Sequence, residues 1–289
     1  MKRFFSKRSS QRSQLQYFNT TLDTQIEYDS QRDNLNIIKL KTPIIGVPII
    51  VQIFIEYFDR DDILKTEGLF RTTGSIKQVK LLKDDIETSG LINLYKDESD
   101  LLTLTSLFKL WLRELQDGVI PNEDYIKMEA AQDSLELFKI ALDTLSRYHW
   151  ETLRYISQFL LKLSSFSEEN KMNVNNICIV FGPTLIKSDM DSLDSQVVLN
   201  DNIKNSQILE LILTNFDYLF DTDSLSNLNS PTQMNLKQSF DSLSSISNDV
   251  VLNEMENLQV DNVVKKTVQS FFGSNRKKSM MMVDFYHYI

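Results

Sequence analysis

Residues 67–75 read EGLFRTTGS, a short stretch that interrupts the helical pattern of the chain around it. Glycine accepts backbone angles that other residues resist, so Gly68 and Gly74 mark a turn. Phe70 stands next to Arg71, where its ring could anchor the loop in an apolar core. The pattern predicts a fixed loop that holds one guanidinium group out from the chain, and what that group faces is the question for the rest of the sequence.

Apolar residues elsewhere recur at intervals of three and four, the spacing of amphipathic helices. Ser75 is a typical N-cap for the helix after the loop, and Gly90 is a typical stop. We expect a further stop at Gly182-Pro183 and find no convincing period-two alternation. The sequence predicts an all-α helical bundle from about residue 41 to 222. The helical pattern returns in DLLTLTSLFKLWLREL, SLELFKIALDTLSRYH, ETLRYISQFLLKLSSF, NVNNICIVFGPTL and NIKNSQILELILTNFDYLF.

The two ends of the chain differ in composition from its centre. Residues 1–40 begin with a basic cluster, and we expect them to be mostly disordered. Residues 223–289 are rich in Ser and Asn and cannot bury enough apolar surface to fold. They are predicted to be a mostly disordered tail with a short helix through Val251, Met255 and Leu258.

Composition narrows the function classes. The chain has 289 residues, a net charge of -9 and a pI of about 4.9, which argues against general nucleic-acid binding. One cysteine and two histidines, His149 and His287, exclude an intramolecular disulfide and argue against a structural zinc site. Cys178 lies in an apolar run and is expected to be a buried thiol. The sequence shows neither an apolar run of about 18 residues nor a secretory signal, which predicts a cytoplasmic protein.

Three stretches in order resemble the RhoGAP domain, the module that accelerates GTP hydrolysis by Rho-family GTPases. They are EGLFRTTGSIKQVKLLK, LFKLWLREL and NKMNVNNICIVFGPTL, and the resemblance covers roughly residues 41–222. It implies a GTPase-activating protein that switches off signalling by a GTP-bound Rho-family small GTPase and so regulates the cytoskeleton. Such a protein regulates an enzyme and has no cofactor of its own, because GTP and Mg²⁺ belong to the partner.

By this resemblance, Arg71 corresponds to the catalytic arginine finger of the family. A guanidinium group supplied from outside places fixed positive charge and planar donors against the charge that develops on the transferred phosphoryl group. Lysine would be a poor replacement because it lacks the planar fork. The alternative interpretation of Arg71 is a solvated loop arginine.

The resemblance also assigns three supporting residues. Lys109 and Arg113 are four residues apart and share a helix face, from which they would support the finger loop and touch the GTPase. The alternative is two solvated cations balanced by Glu114. Asn176 would reach the GTPase near its switch region, and the alternative is an internal hydrogen bond to a loop.

Other questions stay open at this point. Gln116 and Gly118 stand where the family has prolines, which predicts a less rigid loop. The main functional alternative is an adaptor that binds a Rho-family GTPase without accelerating hydrolysis. The basic, Phe-Phe-containing ends of the chain either adhere to anionic membranes, as peripheral anchors, or are solvated tails without a ligand.

Overall fold

The structure, a computed structural model, describes residues 16–31, 40, 44–91, 94, 100–187 and 195–221. These residues form twelve helices: α1 Leu22–Gln31, α2 Ile49–Phe58, α3 Asp61–Leu64, α4 Ile76–Ser89, α5 Leu101–Glu114, α6 Asn122–Ala131, α7 Leu135–Leu142, α8 Arg147–Ser165, α9 Ser167–Asn170, α10 Val174–Leu185, α11 Ser195–Thr214 and α12 Phe216–Leu219.

The all-α prediction is confirmed. Within the described residues there is no strand, and the one extended pairing is an isolated parallel bridge between Ile120 and Ile186. Helix α4 begins directly after Ser75 and ends at Gly90, as the sequence predicted, although the Ser75 side chain makes no capping hydrogen bond. Gly90 adopts a φ of 82° at the helix end, a left-handed angle that favours glycine.

An aromatic cluster forms the centre of the bundle. Phe70, which is fully buried, packs edge-to-face on Phe58, Phe159 and Phe181, with ring centroids 5.0, 6.0 and 5.1 Å away. Phe108 of α5 closes the cluster at 6.3 Å. The prediction that Phe70 anchors its loop in the core is therefore confirmed, and four different helices support that anchor.

The N-terminal boundary of the predicted helical region is too late. Residues 16–31 were expected to be mostly disordered, but Tyr17, Phe18 and Leu22 are buried in the common core. The Tyr17 carbonyl accepts a hydrogen bond of 2.8 Å from the indole N–H of Trp111. The sequence of this segment is polar and has no amphipathic helical pattern. The segment is therefore ordered by the packing of its few apolar side chains on the bundle.

One further local prediction is wrong. Helix α10 does not stop at Gly182-Pro183 but continues to Leu185 with Pro183 inside it. Asn170 ends α9, and the side chain of Asn173 caps α10 by accepting a 2.9 Å hydrogen bond from the backbone N–H of Asn176. Gly182 is needed for packing, because a Cβ there would lie 2.8 Å from the backbone of Asn205 in α11.

The α5–α6 loop, residues 115–121, is held more firmly than its missing prolines suggested. The backbone N–H and side-chain amide of Gln116 donate to the carbonyls of Thr20 and Asn19 at 3.0 and 2.7 Å. The Asp117 carboxylate accepts the Leu22 N–H at 3.1 Å. Gly118 has a φ of 71°, and hydrogen bonds to the N-terminal segment replace the rigidity that proline would give.

Residues 1–15 and 222–289 lie outside the described residues, and so do the predictions made for them. These include the disordered ends, the helix near Met255, the basic clusters and His287. None of the helices in the described ranges has the length and apolar character that crossing a bilayer requires.

Candidate functional site

The finger loop, residues 67–75, is fixed at its base. Gly68 has a φ of 72°, and its N–H donates to the Asn170 carbonyl at 2.8 Å, which ties the loop to the end of α9. The Gly68 carbonyl then accepts the N–H groups of Arg71 and Thr72 at 2.9 and 3.0 Å. The Gly74 N–H donates to the Ser106 hydroxyl of α5 at 2.9 Å, so the far end of the loop is fixed as well.

Phe70 occupies a backbone conformation that bulky residues avoid, with a φ of 66°. Such a conformation costs about 1–3 kcal/mol. Complete burial of a phenylalanine side chain contributes about 1.5–3 kcal/mol, which offsets that cost. The left-handed turn at Phe70 lets one residue point into the core while the next, Arg71, points out.

Arg71 is exposed at the tip of this loop. Its guanidinium group makes no hydrogen bond or ion pair with any residue in the described ranges. It lies over Gly68, where a Cβ would come within 3.6 Å of its Nη2 atom. The structure therefore presents an unpaired, solvent-facing cation on a rigid base, which leaves the group available to a docked partner.

Lys109 lies half-buried on α5 directly beneath the loop. Its Nζ atom donates to the Phe70 carbonyl, which stabilises the left-handed turn from below. Burial lowers the pKa of Lys109 below its ordinary value, and the nearby charge of Arg113 lowers it further. The hydrogen bond of Lys109 joins α5 to the residue that directly precedes Arg71.

Arg113 lies one helical turn further along α5 and is exposed, with no partner in the described part of the chain. The alternative in which Glu114 balances both α5 cations does not hold. Glu114 pairs with Lys83 of α4 at 2.5 Å instead. Arg113 and Arg71 therefore both present uncompensated positive charge near the loop.

Asn170 links the finger loop to α10. Its buried side-chain amide donates to the carbonyls of Leu64 and Leu163 at 2.8 and 2.9 Å, and its Oδ1 atom accepts the Met172 N–H at 2.7 Å. Its backbone carbonyl holds Gly68. One side chain thus fixes the start of the loop and the approach to α10 relative to each other.

Asn176 is half-exposed on the first turns of α10. Its Nδ2 atom donates to the Lys171 carbonyl at 2.9 Å, which is the internal bond that the alternative interpretation described. Its Oδ1 atom accepts no hydrogen bond from the described residues. Asn176 is therefore both partly exposed and bonded internally.

Ile179 is a candidate contact that sequence reasoning missed. It lies three residues after Asn176 on α10, and 57% of its surface is exposed. The three-residue spacing puts it on the same helix face as Asn176. The apolar run around Ile179 predicts a buried side chain, so the sequence did not indicate that Ile179 is exposed. Its position three residues after Asn176 could have indicated that the two side chains share a helix face.

No other chemistry is apparent at this site. Within the described ranges, no group of three or more His, Cys, Asp and Glu side chains is close enough to hold a metal ion. Cys178 is buried as predicted, and burial, with the charge of Glu210 as a smaller cause, raises the pKa of its thiol to about 12. A thiol with so high a pKa is a poor nucleophile.

A family model matches the part of the chain that holds these residues. Residues 48–190 match the family model described as the RhoGAP domain. The chain contains a RhoGAP domain. The matched region of the RhoGAP domain includes the finger loop, both α5 cations and the α10 residues named above.

Relatives of this RhoGAP domain include Rho GTPase-activating protein 21-B of Xenopus laevis. It is 31% identical over 188 residues, which make up 62% of this chain and 10% of that protein. N-chimaerin of Bos taurus is 36% identical over 168 residues, 54% of this chain and 49% of that protein. The chain therefore matches at most about half the length of these curated relatives.

A solved structure shows the same fold. The crystal structure of human Rho GTPase activating protein 15 superposes with a TM-score of 0.60 at 21% sequence identity. The similarity covers 72% of this chain and 93% of that one. At this level of identity, the likeness concerns the helical architecture of the RhoGAP domain alone.

Proposed function

We propose that this chain accelerates GTP hydrolysis by a Rho-family small GTPase in its GTP-bound state. The observation that carries the proposal is the exposed, unpaired Arg71 on a loop fixed at both ends. The RhoGAP domain match and the Rho GTPase-activating relatives support the choice of partner. In this role the chain regulates an enzyme, and GTP and Mg²⁺ belong to the partner.

Arg71 acts in the partner's active site. As the bond to the γ-phosphoryl group breaks, negative charge develops that a GTPase without its own arginine stabilises poorly. The planar guanidinium donates to those oxygens and brings a positive charge that needs little reorganisation, because the loop is already rigid. Arginine fingers of this kind contribute about 10³- to 10⁵-fold in rate.

The other site residues position or bind. Lys109 holds the Phe70 carbonyl and so fixes the direction in which Arg71 leaves the loop. Arg113 supplies a second cation for the GTPase surface. The Oδ1 atom of Asn176 accepts a hydrogen bond from the GTPase.

Single-turnover GTP hydrolysis by purified Rho or Rac tests the proposal. Wild-type chain should accelerate the reaction, and Arg71→Ala should lose about 10³-fold or more of that acceleration while still binding the GTPase. Arg71→Lys should recover little of it. The matched control is Arg147→Ala, which removes an exposed arginine remote from the loop and should leave the rate unchanged.

Two results would contradict the proposal. If wild-type chain binds the GTP-loaded GTPase but does not change hydrolysis, the chain is a binding adaptor. If it binds neither the GTP-analogue-loaded nor the GDP-loaded form, the partner assignment is wrong. The cytoplasmic location, the link to the cytoskeleton and the membrane role of the basic ends stay predictions.

A further inference from the structure

A groove of about 400 Å³ lies between α4 and α5, next to the finger loop. It begins at Thr73 and Gly74, near the end of that loop, and runs along the two helices. Its position makes it continuous with the surface that presents Arg71. The residues that give it its character are Ile76, Val79, Lys80, Lys83, Leu110 and Arg113.

The floor of the groove is apolar. Ile76 is 83% exposed although α4 already packs on the core through Val79, Leu82 and Ile86. Leu110 of α5 is half-buried beside it. Folding of α4 does not require an isoleucine at its first position, so this side chain is free to receive an apolar group from another molecule.

The rim of the groove carries positive charge that the chain itself does not neutralise. Lys83 is paired with Glu114, but Lys80 and Arg113 have no partner in the described residues. Asp84 is the remaining carboxylate among the residues that line the groove. An apolar floor between two unpaired cations fits a surface segment in which an apolar side chain lies next to carboxylates.

The groove has a fixed shape at the end nearest the finger loop. A Cβ atom at Gly74 would lie 2.5 Å from the backbone of Leu102, so the loop packs directly against α5 there. The Ser106 hydroxyl holds the Gly74 N–H at 2.9 Å. A partner that docks on Arg71 therefore meets a preformed groove and does not have to open it.

We propose that the α4–α5 groove is a second docking site for the GTPase partner, one that takes an acidic and apolar segment of its surface. This inference rests on the proposed function and deepens it. Arg71 serves the chemical step, whereas Ile76 and Lys80 contribute to affinity and to the choice of partner. Substitution in the groove should therefore change binding and leave the maximal rate intact.

The test titrates the 289-residue chain into GTP-loaded GTPase and measures two quantities. One is the concentration of chain that gives half-maximal stimulation (the half-saturating concentration), and the other is the maximal rate of hydrolysis. Ile76→Asp and Lys80→Glu should each raise the half-saturating concentration about tenfold or more, with the maximal rate unchanged. Leu81→Asp and Lys77→Glu are matched controls on the same helix. Both residues are exposed and lie outside the groove, so these variants should change the half-saturating concentration by less than about twofold.

The outcomes separate the two proposals. If groove variants and controls behave alike while wild-type chain accelerates hydrolysis, the groove proposal is overturned and the function stands. If wild-type chain binds without acceleration, the same variants are compared for affinity to the GTP-analogue-loaded GTPase. Weaker binding by Ile76→Asp and Lys80→Glu than by the two controls supports the groove, and equal binding by all four variants overturns it. If wild-type chain does not bind any Rho-family GTPase, both proposals fail.

Discussion

The finger loop and the α5–α6 loop share two structural features but differ in the partners of their polar side chains. Each has a glycine with positive φ, Gly68 and Gly118, and each is hydrogen-bonded to a segment distant in sequence. In the α5–α6 loop, Gln116 and Asp117 bond to backbone groups of the N-terminal segment. In the finger loop, Arg71 has no such partner among the described residues.

The two loops show that a rigid backbone and a side chain available for recognition are separate properties. Both loops are rigid at the base, so rigidity alone does not identify a functional loop. What distinguishes the finger loop is a charged tip left without an internal partner. Hydrogen-bonding groups that are satisfied within the chain contribute to folding, whereas an unpaired cation on a fixed base is available to another molecule.

The largest stability effect should come from the anchor of the finger loop. Phe70→Ala removes a fully buried ring from the aromatic cluster and should lower the free energy of unfolding by about 3–5 kcal/mol. Urea unfolding followed by circular dichroism measures it. Thr72→Ala, at an exposed position in the same loop, is the control and should change stability little. Equal stability of the two variants would contradict the role of Phe70 as the anchor of the finger loop.

A smaller loss is expected from the α5–α6 loop. Asp117→Ala leaves the Leu22 N–H without its acceptor and removes the ion pair with His149, whose Nε2 atom is 3.3 Å away. The free energy of unfolding should fall by about 1–3 kcal/mol, because a part-buried donor is left unsatisfied. The maximal rate of stimulated GTP hydrolysis should not change, and a large loss of that rate would contradict the contrast between the loops.

The control for Asp117→Ala is Asp133→Ala. Asp133 is exposed and has no partner in the described part of the chain, so its loss should leave stability unchanged. A destabilisation as large as that of Asp117→Ala would show that removal of any carboxylate near these helices, and not the specific bonds, is responsible.

The smallest effect should be a pH dependence from His149. Burial lowers the pKa of its imidazole, but Asp117 and the Val119 carbonyl outweigh burial, and the net pKa is raised above the ordinary 6.5. The contribution to stability is therefore fully present below about pH 6.5 and is lost as pH rises through the folded pKa. The difference in unfolding free energy between wild type and Asp117→Ala should shrink between pH 5.5 and 8.5. A difference that grows with pH would contradict this account.

Much of the fold follows from the sequence because its helices carry their own signal. The apolar spacing in the segments that became α4, α5 and α8 matches their buried faces, and Ser75 and Gly90 mark the ends of α4. Helix α1 lacks such a signal, because Leu22 and Ile26 are its buried aliphatic residues in a polar segment. Only contact with the finished bundle makes that segment helical.

The site was less predictable than the fold. The motif resemblance named Arg71, Lys109, Arg113 and Asn176, but it could not show which of their polar atoms are already engaged. Lys109 binds the Phe70 carbonyl and Asn176 binds the Lys171 carbonyl, so both are partly internal. These bonds depend on the left-handed turns at Phe70 and Lys171, conformations that neither residue type favours by itself.

The hydrogen bonds of Asn170 limit how the finger loop could be transplanted into another protein. The loop begins with a hydrogen bond from Gly68 to the backbone of Asn170, whose side chain is fastened to α3, α8 and the approach to α10. A graft of residues 67–75 alone would lose that attachment, and its arginine would swing freely. The smallest portable unit is therefore the loop together with Asn170 at the end of α9 and the residues that follow it.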